Sequence, residues 1–233
     1  MFEHIKGIFF DIGYTLCEPV SGDWRFTAKF LTIAGISNLK ALSQDRIKDA
    51  YQKSSNYLND NHLLKTLEEE YEQNVVSYSI IAGELPELNF TEDNIRDIAY
   101  DRTYNMSNYR FYPDVKQTIE QLHANYKLGI ISDTWPSADN MLKSADIDQY
   151  FHSLTYSCHL GTCKPDMRMY IDAIDKMGYS PEQTIFIDDS PKNLDAAKEL
   201  GIIPILIITR EQDWEGIKIS KPSDLVSILE KQS

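Results

Sequence analysis

The stretch KGIFFDIGYTL, residues 6–16, decides how the rest of the chain is read. Ile8, Phe9, Phe10 and Ile12 flank Asp11, and Gly13 follows at once. An apolar run of this length that ends in a turn fits a strand buried on both faces, as in a parallel sheet covered by helices. A carboxylate at the end of such a strand sits where open parallel sheets bind their ligands.

Further runs of strand length follow at 126–133 (YKLGIISD), 153–157 (SLTYS), 184–189 (TIFIDD) and 203–209 (IPILIIT). Helical patterns alternate with them at 113–126, 136–146, 166–178 and 190–201. In the last of these Ser190 reads as N-cap, Pro191 as the first helical residue and Gly201 as the stop. Strand alternating with helix predicts an α/β fold, a parallel sheet with helices on both faces. Residues from about 18 to 110 are different: their apolar residues recur with helical period and no clear strand interrupts them. The expected organisation is a core of residues 1–17 and 110–233, split by an all-helical insertion at 18–109. The acidic run Glu68–Glu70 within it reads as a solvated helix face.

A chain of 233 residues with 42% apolar content can fill a sizeable core. Its 36 Asp and Glu against 23 Lys and Arg give a formal charge of −13, which argues against a protein that coats nucleic acid. Cys17, Cys158 and Cys163 have neither disulfide-framework nor zinc-site spacing, and the five histidines have no metal-ligand spacing. No 18-residue apolar span and no signal-peptide pattern is present, so the expectation is a cytoplasmic protein with no membrane partner.

The polar residues at the strand ends are Asp11, Ser132 with Asp133, Lys164 in the loop LGTCKPD, and Asp188 with Asp189. Three carboxylates brought together repel one another, and a divalent cation such as Mg²⁺, which prefers oxygen ligands, relieves that cost. A lysine adds positive charge, while a hydroxyl and the free N–H groups of a turn can hold phosphate oxygens. A metal, a lysine and a free carboxylate suit phosphoryl transfer.

Asp11-Ile12-Gly13-Tyr14-Thr15, Ser132, Lys164-Pro165-Asp166 and Asp188-Asp189 with Asn193 resemble, in order and spacing, the four motifs of the haloacid dehalogenase superfamily. The resemblance covers residues 5 to 209 apart from the insertion. It implies a Rossmann-like core with a helical cap inserted after the first motif. It also implies a Mg²⁺-dependent hydrolase acting on a small phosphorylated metabolite. In that scheme Asp11 is the nucleophile and a metal ligand and forms an aspartyl phosphate. Ser132 hydrogen-bonds the phosphate, and Lys164 pairs with Asp11 and the transferring group. Asp189 binds the metal directly, Asp188 does so directly or through water, and the backbone carbonyl of Gly13 completes the protein ligands.

Most phosphatases of the superfamily carry a second aspartate two residues after the nucleophile, where this chain has Gly13. General acid–base catalysis is typically worth about 10²–10⁴-fold. Gly13 therefore leaves three readings open: a phosphatase favouring leaving groups that need little protonation, a low-turnover phosphate-binding or interaction module, and a metal-independent 2-haloacid dehalogenase.

Several neighbours have two readings each. Thr15 supports the nucleophile loop, and Tyr14 either packs or faces the substrate. Asp133 stands where relatives carry asparagine and adds negative charge against an anionic substrate. Asn193 orients Asp189 or its loop. Arg25, at the entry to the insertion, either meets an anionic substrate group or packs with its head in water.

Overall fold

A computed structural model describes residues 2–209 and 213–230. The chain divides into two compact units, Met1–Glu18 with Phe111–Ser233, and Pro19–Arg110. The strands in chain order are β1 (Gly7–Phe10), β2 (Cys17–Pro19), β3 (Tyr109–Phe111), β4 (Lys127–Ser132), β5 (Phe151–Tyr156), β6 (Thr184–Asp188), β7 (Ile203–Ile207) and β8 (Ile217–Ile219). The helices of the second unit are α1 (Ala28–Ala34), α2 (Ile36–Ala41), α3 (Gln44–Asp60), α4 (Leu67–Glu84) and α5 (Glu92–Tyr104). Those of the first unit are α6 (Val115–His123), α7 (Ala138–Ser144), α8 (Ser157–Leu160), α9 (Met167–Met177), α10 (Pro191–Leu200) and α11 (Asp224–Glu230).

The first unit is built on a six-stranded sheet in the order β5-β4-β1-β6-β7-β8, with every neighbouring pair parallel. Side chains alternate between faces along a strand. Phe9, Ile131, Phe186 and Leu206 bury themselves on one face with Met169, Tyr170 and Ala173 of α9 and Leu194 and Ala197 of α10. Ile8, Phe10, Ile130, Ile185, Ile187 and Ile205 alternate with these and are equally buried, so the opposite face is covered as well. Val115, Ile119 and Leu122 of α6 and Leu225 and Leu229 of α11 are buried too. The α/β architecture expected from the sequence is the one observed.

Most expected elements lie inside their sequence bounds. The run at 153–157 is shifted: β5 begins at Phe151 and stops at Tyr156, because Ser157 opens α8. Ser190, Pro191 and Gly201 mark α10 as expected, and Gly201 takes a left-handed φ of 98°. β8 escaped the reading because IKI is too short to show a period. β2 and β3 pair with each other where the chain passes between the units, and also went unread.

The second unit is all helical between its bounding strands. Phe30 is its hub, packed edge-on against Tyr51 and Phe90 and tilted against Tyr78, with Ile81, Leu85 and Ile98 around them. The Glu68–Glu70 run is not a uniformly solvated face. Glu69 closes a capping box with Thr66 at the start of α4, and Glu70 is buried. The reason is that the buried side of α4 is polar: Asn74 donates to Thr103 Oγ1 at 3.0 Å, Gln73 donates to the Asn61 carbonyl at 2.6 Å, and the Ser77 and Ser54 hydroxyls meet at 2.6 Å. Among the described residues no helix is long and apolar enough to cross a membrane.

Candidate active site

The register of the central strands sets the site. Phe10 of β1 lies beside Ile130 of β4 and Ile187 of β6. The next positions, Asp11, Ile131 and Asp188, therefore form one row across three strands spaced about 4.8 Å apart. Strand order runs away from β1 in both directions, so this row lies at the topological switch point where open α/β sheets bind ligands.

Lys164 spans the row from the loop between α8 and α9. Its Nζ lies 2.8 Å from Asp11 Oδ1, 2.7 Å from Asp188 Oδ2 and 3.1 Å from the Ile131 carbonyl. The side chain is only 2% exposed. Burial pulls the ammonium's pKa down, but the carboxylates of Asp11, Asp188 and Asp133 outweigh it and hold the pKa above the usual lysine value. The lysine stays charged.

Asp188 is fully buried at the end of β6. Besides the lysine it accepts from Ser190 N at 2.7 Å and from Asn193 Nδ2 at 3.2 and 3.1 Å. Burial pushes its carboxyl pKa up, against the pull of Lys164. Asn193 thus grips Asp188, where the sequence suggested Asp189 or its loop, because the first turn of α10 folds its side chain back onto the strand end. Tyr170 of α9, itself buried, donates to the Asn193 carbonyl at 2.9 Å and anchors that turn. Carboxylate oxygens of Asp11, Asp188 and Asp189 all lie within 4.8 Å of one another.

Residues 11–17 turn tightly after β1. The Ile12 carbonyl accepts from Leu16 N at 2.9 Å and Cys17 N at 3.1 Å, and Tyr14 N donates to the Cys17 carbonyl at 2.7 Å. Tyr14 carries the left-handed backbone, φ 54°, whereas Gly13 is outside that region. The backbone therefore does not require glycine at 13. Thr15 is fully buried and its Oγ1 has no hydrogen-bond partner among the described residues. Burial, then the charge of Asp11, pushes the Cys17 thiol far above its ordinary pKa, which keeps it protonated and inert.

Ser132 ends β4 and is buried. Asp133 Oδ1 accepts from the backbone N of Lys164 at 2.8 Å, so this carboxylate, expected to face substrate, ties the lysine's loop to β4. The next residue is tied as well, with Thr134 N donating at 2.8 Å to the Oγ of Ser157, which opens α8. Arg25 belongs to the other unit, where its N and Nε each donate to Asp23 Oδ1 at 2.9 Å and its guanidinium lies over the Phe26 and Tyr51 rings. That is the packed reading of its surroundings.

A cavity of about 720 Å³ beside Asp189 was invisible in the sequence. Tyr14, Tyr112, Pro113, Ile207, Ile208 and Pro222 contribute to its wall, drawn from four separate stretches of chain. One part of its wall lies in the turn SKPSD, residues 220–224, where Asp224 Oδ2 accepts from Ser220 N at 2.9 Å.

The convergent donor set is all oxygen, and two of its three carboxylates share one ammonium. This is chemistry that suits a hard divalent cation. Asp11, Asp188 and Asp189 are placed to offer such a cation oxygen ligands, and the oxygens of Asp188 are also engaged by Lys164, Asn193 and Ser190.

A family model described as "Haloacid dehalogenase-like hydrolase" matches residues 36–207. The chain is 26% identical over 130 residues to a glyceraldehyde 3-phosphate phosphatase of Methanopyrus kandleri, covering 51% of this chain and 56% of that protein. Across the first curated relatives it matches, the chain spans between 11% and 56% of their lengths. Two solved structures share the fold at a TM-score of 0.65. One is a 2-haloacid dehalogenase from Pseudomonas syringae pv. Tomato DC3000, 16% identical over 98% of this chain and 100% of that one. The other is a HAD phosphatase from Thermococcus onnurineus, 19% identical over 97% and 98%. The match over most of its length, joined to the row of acids that Lys164 bridges, makes this chain a member of the haloacid dehalogenase-like hydrolases.

Proposed function

We propose that the chain is a Mg²⁺-dependent phosphohydrolase that acts on a small phosphorylated metabolite through a phosphorylated Asp11. The observation that carries this reading is the Lys164 ammonium wedged between Asp11 and Asp188 at 2.8 and 2.7 Å. The wedge tethers one oxygen of Asp11 and leaves the other to attack phosphorus. It also places a permanent positive charge beside the transferring group, where negative charge would otherwise repel the nucleophile.

Asp11, Asp189 and the Gly13 carbonyl would hold the cation, which when bound supplies charge compensation between the phosphate and the carboxylates. Ser132 donates its hydroxyl to a phosphate oxygen, and the N–H groups of the 11–17 turn offer further donors. Asp11 bonds to phosphorus as the ester P–O bond breaks. Water then attacks phosphorus and returns Asp11 to a carboxylate.

Release of inorganic phosphate from aryl, acyl and sugar phosphates, with and without Mg²⁺, tests the proposal. Asp11→Asn should abolish turnover, and activity that survives it would remove Asp11 from its role. Gly13 favours a second reading, a phosphate-binding module with little turnover, which the same assay would report as binding without release. Metal-independent halide release would move the chain to the dehalogenase branch.

A further inference from the structure

The cavity beside Asp189 adjoins the nucleophile, because Asp189 lines it and its carboxylate lies within 4.8 Å of that of Asp11. Half of its lining residues are aromatic or apolar, Tyr14, Tyr112, Pro113, Ile207, Ile208 and Pro222, and the polar half includes Glu18, Asp114, Asp189 and Lys221. Ile208 is 40% exposed, an apolar surface that a ligand's flat body would cover. At about 720 Å³ the space is well beyond what a phosphoryl group needs and falls in the usual range for small-molecule sites.

The second observation is chemical and independent of the first. Gly13 offers no side chain to protonate the departing oxygen where the resemblance puts the acid, and a leaving group that departs unprotonated does so as an anion. A phenol ionises near pH 10, about as a tyrosine does. An aliphatic alcohol lies nearer to water, at about 15.7. Expulsion without an acid therefore strongly favours the phenol.

We infer that this cavity receives the leaving group, and that the preferred substrates are phosphate monoesters of phenols, or of comparably acidic hydroxyls, borne on a flat apolar body. The inference rests on the phosphohydrolase reading. In the first step Asp11 forms its O–P bond, the P–O(aryl) bond breaks, and the electron pair leaves on the phenolate, which takes its proton from solvent. In the second, water adds to phosphorus and the Asp11 O–P bond breaks. The sum is ester plus water giving phenol plus phosphate.

Calorimetry with phenylphosphonate and methylphosphonate, whose P–C bonds are not cleaved, reads the cavity without turnover. Burial of the ring should make the phenyl compound bind roughly tenfold tighter or more. Tyr112→Ala, which removes a wall, and Ile208→Trp, which fills the space, should each erase most of that difference. Tyr112→Ala keeps the backbone bonds that Tyr112 makes to Leu16 and Val115, and Ile208 is partly exposed, so the two variants fail independently if either misfolds. Each should also lower the ratio of kcat/KM for phenyl phosphate over acetyl phosphate about tenfold, with the change in KM, and Gly13→Asp should narrow the gap between phenyl and alkyl phosphates. Equal affinity for the two phosphonates, or an unchanged ratio in both variants, overturns the inference. If no phosphoester is turned over in an Asp11-dependent way the phosphohydrolase reading fails instead, and the phosphonate affinities still decide the cavity by themselves.

Discussion

Replacing Lys164 by Met keeps the length of the side chain and removes its charge from between two acids. The structure bounds the cost. The ammonium is 2% exposed, and its loss strips Asp11 and Asp188 of contacts at 2.8 and 2.7 Å while also orphaning the Ile131 carbonyl. Breaking a buried pair by removing one partner typically costs about 3–5 kcal/mol. With an urea slope near the upper end for small proteins, about 3 kcal/mol/M, the unfolding midpoint should fall by roughly 1–1.7 M. Lys176→Met is the matched control. Lys176 also meets a carboxylate, that of Asp172 at 2.6 Å, but it is 41% exposed, so its loss should cost less than about 1 kcal/mol. Far-ultraviolet circular dichroism against urea measures both. Adding Asp188→Asn to Lys164→Met removes one uncompensated charge and should recover part of the loss. A Lys164→Met protein as stable as the Lys176→Met control, or a double variant with no recovery, would refute the claim that the lysine is held as a buried charge bridge.

Three further outcomes are expected. Asp133→Ala should lower kcat more than it raises KM, because the loop carrying Lys164 loses its tie to β4; Asp133→Asn, which keeps an acceptor oxygen, should restore most of the rate in the same assay. Gly129→Ala would place a methyl 2.6 Å from Ser153 Oγ and 2.8 and 2.9 Å from Phe9 ring carbons, so overpacking should cost about 1–3 kcal/mol, seen as a lower melting temperature. His62 is buried in the helical unit, and burial lowers its pKa below the usual imidazole value. The folded form then binds protons less readily than the unfolded one, so stability from this source is intact above about pH 6.5 and declines as pH falls below it; His62→Gln should flatten the slope of the urea midpoint between pH 7 and 5.

The sheet and the row of acids were legible because both rest on short-range grammar. Phe9, Phe10 and Ile12 around Asp11, and TIFID before Asp189, announce buried parallel strands, and parallel strands bring their carboxyl ends together whatever lies between them. Partner choice within the site was harder to read. Nothing in SPKN says that Asn193 folds back onto Asp188, since that depends on where α10 starts its first turn. Asp133 looked like a group facing substrate, and only the approach of the Lys164 loop shows its backbone bond. The cavity walls come from residues near 14, 112, 189, 208 and 222, which share no spacing and meet solely through the packing of five separate segments.

Gly7 of β1 pairs with Lys127 of β4 and Thr184 of β6, at sequence separations of 120 (127 − 7) and 177 (184 − 7). A chain emerging from the ribosome therefore presents the nucleophile early and must wait for both neighbours. The helical segment 19–110 is complete long before then and is rich in local contacts, which form quickly. Translation thus separates two events in time: a compact helical unit can be in place while Asp11 still hangs on an unpaired apolar ribbon. That interval is when holdase chaperones would have most to protect.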